Sequence, residues 1–228
     1  MSGTEDNYTH AKGSAPTSMH ASVDALAFYS DILHLVPTEP GSVIIDFGGG
    51  IGRDALAFYD RAGGKIHVVS VDPDPAMLAK ARTQYPGRFD IVASDEADLL
   101  ADLRPKYLRD TLPGLKRLNA VAPDMKAEFA LCNAVLMFLK PEEREASLAA
   151  MAEHLKPGGH LVVRFRTVDL KEGMHPISEA EIDAVSAKVA FAKSLTVETL
   201  PPAADPSDRK APNGDSYLWH QRVFTKQP

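Results

Sequence analysis

The sequence predicts an α/β fold, a doubly wound and mostly parallel sheet with helices on both faces, and three observations carry that prediction. Short apolar runs rich in β-branched residues alternate with longer amphipathic stretches along most of the chain. One run, Val43-Ile44-Ile45, meets no polar residue until Asp46, the pattern of a parallel strand covered on both faces. Glycines then fall at 48, 49, 50 and 52, and a helical stretch begins at Arg53. Residues without a Cβ adopt positive φ and let the backbone approach a ligand closely, so this strand-to-helix turn reads as the seat of a nucleotide-like cofactor.

Bulk properties narrow the class. The chain has 228 residues, 44% hydrophobic and 25% charged, which suits one α/β domain with a sizeable core. A formal net charge of −6 without a run of basic residues speaks against general nucleic-acid binding and favours a small-molecule or protein substrate. The single cysteine, Cys132, lies in an apolar run, so neither a disulfide framework nor a cysteine zinc cluster can form within one chain, and no metal site is expected. No positively charged segment leads into an apolar stretch at the N-terminus and no apolar run reaches membrane-spanning length, so a cytoplasmic protein without a membrane partner is expected.

In chain order, residues 1–21 are small and polar without a period and read as a flexible arm carrying Tyr8, His10 and His20, with one domain following over 22–228. Ser22 is placed to cap a helix running to about Val36. After the glycine turn, Arg53 to Ala62 is a helix stopped by Gly63-Gly64. Ile66 to Val71 is the second strand, and it ends in Asp72, twenty residues after Gly52, where an acid can accept two hydrogen bonds from ribose hydroxyls. Asp74 competes for that role but suits better the N-cap of a helix opened by Pro75 and running to Tyr85.

Phe89 to Ala93 is the third strand, followed by Ser94-Asp95-Glu96 and a helix with Leu99, Leu100 and Leu103. Residues 104–126, broken by Pro105, Pro113 and Pro123, carry no clear period. Phe129 to Asn133 is the fourth strand, with Asn133 a lone polar residue at its end that should line the cleft. Pro141 to Leu155 is a helix with Glu142 and Glu143 in its first turn. On the fifth strand Leu161, Val163 and Phe165 fill one face, and Arg164 and Arg166 point to the other, where they suit a carboxylate or phosphate, or else ion pairs with Asp169 or Glu172. His175, in the following loop, is positioned for a general base. Ser178 to Glu181 forms a capping box for a helix to about Ala192, and strands follow at 195–200 and 216–226 around a Pro-rich loop.

The glycine spacing discriminates among ligands. Gly52 is followed by Arg53-Asp54, not by the Lys-Ser/Thr of a P-loop, and it falls one residue too early for a dinucleotide fingerprint. Asp46-Phe-Gly48-Gly-Gly50-Ile-Gly52 instead resembles the first motif of the class I S-adenosylmethionine-dependent methyltransferases, and Leu155-Lys-Pro-Gly-Gly-His-Leu-Val-Val163 resembles the turn before that family's fifth strand. Gly50 to Asp54, Leu112 to Leu115, Asn133 to Leu139, Lys156 to Arg164 and Trp219 further resemble a bacterial group of small stand-alone methyltransferases, from which the longer 96–126 region departs.

That resemblance implies a Rossmann-like methyltransferase fold of seven strands with a last antiparallel strand. It implies S-adenosyl-L-methionine as cofactor and S-adenosyl-L-homocysteine as product. Asp46, Gly48, Gly50 and Gly52 would hold the cofactor with Asp72 at the ribose, Pro73 beside it, Asp95 or Glu96 at the adenine amino group and Asn133 at the methionine part. The absence of an Asp/Asn-Pro-Pro-Tyr/Phe motif argues against methylation of exocyclic amines of bases, so the expected reaction is methyl transfer to an oxygen or nitrogen of a small-molecule acceptor. Two alternatives stay open at this level: a cofactor-binding or scaffold protein of this fold without catalysis and, against the glycine spacing, an NAD(P)-dependent oxidoreductase. The acceptor and the oligomeric state are not legible.

Overall fold

The structure, a computed structural model, describes residues 25–93, 98–167, 173–193, 195–204 and 218–227. Its elements in order are α1 (Ala25–Phe28), β1 (Val43–Phe47), α2 (Arg53–Arg61), β2 (His67–Val71), α3 (Pro75–Gln84), β3 (Asp90–Val92), β4 (Lys106–Leu108), α4 (Lys116–Val121) and β5 (Ala127–Asn133). A 3-10 turn (Leu136–Phe138), α5 (Pro141–Glu153), β6 (Leu155–Phe165), α6 (Glu179–Lys193), β7 (Leu195–Ala204) and β8 (Leu218–Lys226) follow. The strands form one sheet in the order β3-β4-β2-β1-β5-β6-β8-β7. Only β8 runs antiparallel to its neighbours. This is the expected doubly wound architecture with a closing antiparallel strand, enlarged to eight strands.

The additional strand is β4, three residues from the stretch without a clear period, wedged between β2 and β3. Its Lys106 is buried, and its ammonium bonds Asp90 at 2.8 Å and Asp102 at 2.9 Å. So short a strand leaves no alternation in the sequence. The helix expected around Leu99 to Leu103 does not form. The Asp98 and Asp102 carboxylates instead accept from the Leu100 and Arg104 amides, each at 2.9 Å, local turns that compete with helix, and Leu100 and Leu103 are left exposed.

Alternation along the strands separates two layers. Val43, Ile45, Phe47, Val69, Cys132, Val163 and Phe165 face α4, α5 and α6, while Ile44, Val68, Phe129, Leu131 and Val162 face α1 and α2. The Lys-Pro-Gly-Gly segment is absorbed into β6 with a register shift opposite β5, and a Cβ at Gly159 would stand 2.8 Å from the Ala127 carbonyl. β7 extends beyond the expected Leu200, with Pro201 and Pro202 at a register shift on the sheet edge, where proline is tolerated. Among the described residues no helix is long and apolar enough to cross a membrane.

The first helix also differs from expectation. The expected arm and the Ser22 cap lie outside the described residues, and α1 stops at Phe28 instead of continuing to Val36. The Phe28 carbonyl accepts from Arg164 Nη1 at 2.6 Å, and the Ile32 amide bonds the Tyr29 carbonyl at 2.9 Å. The side-chain donor thus takes the carbonyl that the α-helical ladder needs, and the chain continues in tighter turns. Phe28, Tyr29, Ile32 and Val36 still bury their side chains on the sheet.

Arg164 is the centre of this attachment. It is fully buried, donates from Nε to Gln221 Oε1 at 2.6 Å and from Nη2 to Asp31, and lies 4.7 Å and 4.9 Å from the ring centroids of Phe28 and Tyr29. Gln221 Nε2 completes the network by donating to Asp31 Oδ2 at 2.6 Å. Arg164→Leu leaves Asp31 without its counter-charge, with only the Gln221 amide still donating to it, and the Phe28 carbonyl without a side-chain donor, and we expect a loss of about 3 kcal/mol in unfolding free energy, measured by urea denaturation.

Candidate active site

The turn after β1 is built on positive-φ glycines at 48, 50 and 52. Its hydrogen bonds tie three strand ends together. The Gly48 amide donates to the Val71 carbonyl at 2.7 Å, the Gly50 amide to Asp72 Oδ2 at 2.9 Å, and Tyr107 on β4 donates its hydroxyl to the Gly50 carbonyl at 2.6 Å. Gly50 at the centre of the turn is therefore held on its amide side from the end of β2 and on its carbonyl side from β4. A Cβ at Gly50 meets nothing within 4 Å, so this peptide borders open space.

Beneath the turn lies a pair of buried polar groups. Asp46 at the end of β1 registers beside Ser70 on β2, and Asp46 Oδ2 and Ser70 Oγ are both buried without a hydrogen-bond partner. Gly49 covers them: a Cβ there would stand 2.1 Å from Ser70 Oγ and 2.7 Å from Asp46 Oδ2. Burial, reinforced by the negative charges of Asp54 and Asp72, pushes the Asp46 carboxyl well above its ordinary range, against the pull of Arg53. Asp54, in the first turn of α2, is itself bonded by Tyr29 Oη and by Arg53 Nε at 2.6 Å.

Asp72 is buried, and each of its oxygens accepts one main-chain amide, from Gly50 and from Asp74, both at 2.9 Å. Burial raises its carboxyl to about 7, and those two amides oppose the shift. Asp74 caps α3 by accepting from the Ala76 amide at 2.7 Å, as its sequence position suggests. Pro73 between them is half-buried, and its carbonyl accepts from Arg109 Nε at 3.1 Å.

The end of β5 lies beside the glycine turn. Asn133 Oδ1 is buried without a partner, and the next residue, Ala134, takes a left-handed φ of 61°, uncommon without glycine. Val135 then packs against the glycine turn, where a Cβ at Gly48 would meet its Cγ2 at 2.2 Å. By the alternation of the pleat, Asp46, Ser70, Asn133, Arg164 and Arg166 all lie on the α1 and α2 side of the sheet.

The remaining candidates sort as follows. Asp95 and Glu96 lie outside the described residues, as do Asp169 and Glu172. Arg164, expected at a substrate anion, spends its donors on Asp31, Gln221 and the Phe28 carbonyl and so ties the end of α1 to the sheet. Arg166 lies beyond the end of β6, buried, with its Cζ 5.2 Å from the Trp219 ring centroid. His175 is half-buried, and its main chain is anchored, the amide donating to the Met137 carbonyl at 2.7 Å and the carbonyl accepting from buried Arg144 Nη2 at 3.2 Å. Its imidazole makes no hydrogen bond among the described residues.

Sequence reading missed Ser70, Tyr107, the Tyr29–Asp54 bond and Asp110. Ser70 was visible as the one polar residue inside the apolar run of β2. Asp110 follows β4, the strand beside β2, and its carboxylate accepts the Thr111 and Leu118 amides, both at 2.8 Å.

Comparison with known proteins agrees with this geometry. A family described as a methyltransferase domain matches residues 21–194. Phosphoethanolamine N-methyltransferase 1 of Triticum aestivum is 26% identical over 134 residues, 59% of this chain and 23% of that protein. Carboxy-S-adenosyl-L-methionine synthase of Shewanella loihica is 26% identical over 147 residues, 63% of this chain and 53% of that protein. The chain therefore spans between about a quarter and about half of the length of these curated relatives. Among solved structures, magnesium protoporphyrin IX methyltransferase from Synechocystis PCC 6803 with bound SAM superposes with a TM-score of 0.58 at 14% identity, covering 97% of this chain and 90% of that one. The glycine turn, the strand order and the extent of the family match lead to one conclusion: the chain belongs to the class I S-adenosylmethionine-dependent methyltransferase family.

Proposed function

We propose that this protein is an enzyme that transfers the methyl group of S-adenosylmethionine to an oxygen or nitrogen of a small-molecule acceptor, with residues 22–228 as its catalytic domain and residues 1–21 as an arm before it. A bacterial cytoplasm is the setting we infer from the sequence. One observation carries the cofactor assignment: two buried polar atoms without partners, Asp46 Oδ2 and Ser70 Oγ, under a glycine turn whose Gly50 peptide borders open space. A cluster of buried carboxylates suits a cationic ligand, and Asp72 keeps one free lone-pair direction on each oxygen for a ribose hydroxyl.

In this reading Asp46, Gly48, Gly50, Gly52, Asp72, Pro73 and Asn133 hold the cofactor, with Asp95 or Glu96 at its adenine. The bound cofactor supplies a methyl group already activated by a sulfonium. What remains for the chain is to orient the acceptor's nucleophile and exclude water. The unpartnered Asn133 Oδ1 supports a role as acceptor of a hydrogen bond from the cofactor's methionine part or from the substrate, and His175 is the candidate to take the acceptor's proton. Arg144, which fixes the His175 carbonyl and the Leu136 carbonyl, holds that loop in place.

Calorimetric titration with S-adenosylmethionine, S-adenosylhomocysteine and NADH in parallel tests the proposal. We expect micromolar binding of the first two only; binding of NADH alone overturns it. The state of Asp72 adds a pH test. In the ligand-free protein its carboxyl titrates at about 7 instead of 3.8, so the stability it contributes is complete below 3.8 and is lost as the pH rises through about 7. Ribose hydroxyls require the ionised form, so cofactor affinity follows the opposite course. It should weaken by about tenfold per pH unit below the folded value, and Asp72→Asn should flatten that dependence while weakening binding about tenfold at pH 8.

A further inference from the structure

Three of the four glycines in the turn after β1 are fixed by what packs on them. A Cβ at Gly48 would meet Val135 Cγ2 at 2.2 Å, one at Gly49 would meet Ser70 Oγ at 2.1 Å, and one at Gly52 would meet Phe89 Cζ at 2.2 Å. Gly50, at a φ of 58°, has nothing among the described residues within 4 Å of that position. A glycine without a neighbour against it keeps its conformational freedom, so hydrogen bonds must hold it. Among the described residues there are two. Its amide donates to Asp72 Oδ2 at 2.9 Å, and its carbonyl accepts from Tyr107 Oη at 2.6 Å.

The surroundings of Tyr107 keep that second bond in place. Tyr107 pairs with Ser70 on β2, which pairs with Asp46 on β1, so the three side chains form a row across one face of the sheet. Its ring is fully buried, edge to face with Phe89 at a centroid distance of 5.7 Å, and Phe89 is the ring that packs on Gly52. One aromatic pair thus braces the turn at two places. Burial, reinforced by the charges of Asp72, Asp46 and Asp74, holds the phenol well above its ordinary range, so the hydroxyl stays protonated and donating at neutral pH.

We propose that Tyr107 is a positioning residue of the cofactor site: by fixing the Gly50 carbonyl it keeps the Gly50 amide on Asp72, and so keeps that carboxylate turned to accept a hydroxyl of the ligand. This rests on the methyltransferase reading, since it takes Asp72 as the ribose acid. The amide bond alone is a poor anchor, because a ribose hydroxyl competes for the same carboxylate. The Tyr107 bond involves neither Asp72 oxygen, so it holds the turn while Asp72 is shared between protein and ligand. The titratable groups facing Asp72 among the described residues are Asp46 on β1, Asp74 before α3 and Tyr107 itself, and Arg109 at the end of β4 bonds the adjacent Pro73 carbonyl. Neighbouring acids disfavour the ionised form, so Asp72 depends on the Gly50 and Asp74 amides to offset its burial.

Tyr107→Phe keeps the ring and removes only the hydroxyl. Val189→Ala in α6, buried on the other face of the sheet, is the comparison that lowers stability away from the turn. In the ligand-free protein carrying isotope-labelled aspartate, the Asp72 carboxyl is followed by NMR against pH and identified by its loss in Asp72→Asn. We expect a midpoint of about 7 in the unsubstituted protein and in Val189→Ala, and one higher by about half a pH unit or more in Tyr107→Phe, as the Gly50 amide loosens. S-adenosylhomocysteine affinity at pH 8 should fall about tenfold in Tyr107→Phe and stay unchanged in Val189→Ala. An Asp72 midpoint that does not rise or an affinity that does not fall in Tyr107→Phe, or equal changes in Val189→Ala, overturns the proposal. If the unsubstituted protein does not bind S-adenosylhomocysteine, the methyltransferase reading falls, and the aspartate titration still decides whether Tyr107 positions Asp72.

Discussion

A Cβ at residue 49 would stand 2.1 Å from one side chain and 2.7 Å from another, so the turn leaving β1 can fold back over the sheet edge only while that position is glycine. The closeness of that turn shapes everything beneath it. It keeps Asp46 and Ser70 dry, and dryness raises the Asp46 carboxyl. It also brings the Gly50 amide within reach of Asp72 and the Gly50 carbonyl within reach of Tyr107, so strands β1, β2 and β4 are joined at their ends by one residue. The surface made in this way is preorganised main chain over buried carboxylates, which suits a cationic ligand better than a polyphosphate.

The other fixed point is the buried guanidinium of Arg164. A charge taken out of water is costly unless paired, and this one is paired with Asp31 and satisfied by an amide and a carbonyl. The bonds join β6 and β8 to the segment after α1, and Tyr29 joins the same segment to Asp54 on α2. The N-terminal segment is therefore attached at two places on one face of the sheet, one beside the glycine turn and one beside the end of β6.

Much of this was legible in the sequence because it depends on local rules. Strand alternation, the glycine spacing, the cap at Asp74, the hydroxyl cap at Ser178 and the segregation of Arg164 from Leu161, Val163 and Phe165 all follow from neighbours within a few residues, whereas the Glu181 carboxylate that would complete the capping box is taken by Arg144. What could not be read depends on partners far along the chain. Whether Arg164 meets a ligand or Asp31 is decided across 133 residues, and the early end of α1 is decided by the same side chain. The three-residue β4 was invisible because its identity as a strand comes from β2 and β3 on either side. Asp110 shows the same limit, since its place next to β2 became apparent only once that strand was known.

The position of β8 has a consequence for how the protein is made. It follows β7 in the order of synthesis, yet it fits between β6 and β7, so among the described strands β7 has no partner in the sheet until β8 arrives. The half of the sheet that carries the glycine turn can assemble earlier, from strands whose pairings are already complete. Until β8 closes, the outer flank of β6 is an open edge with Gln221 not yet available to Arg164, a form prone to wrong pairing with other chains. The half of the sheet beneath the glycine turn can thus be in place before the half that β8 closes, so the two halves of one sheet are built at different times.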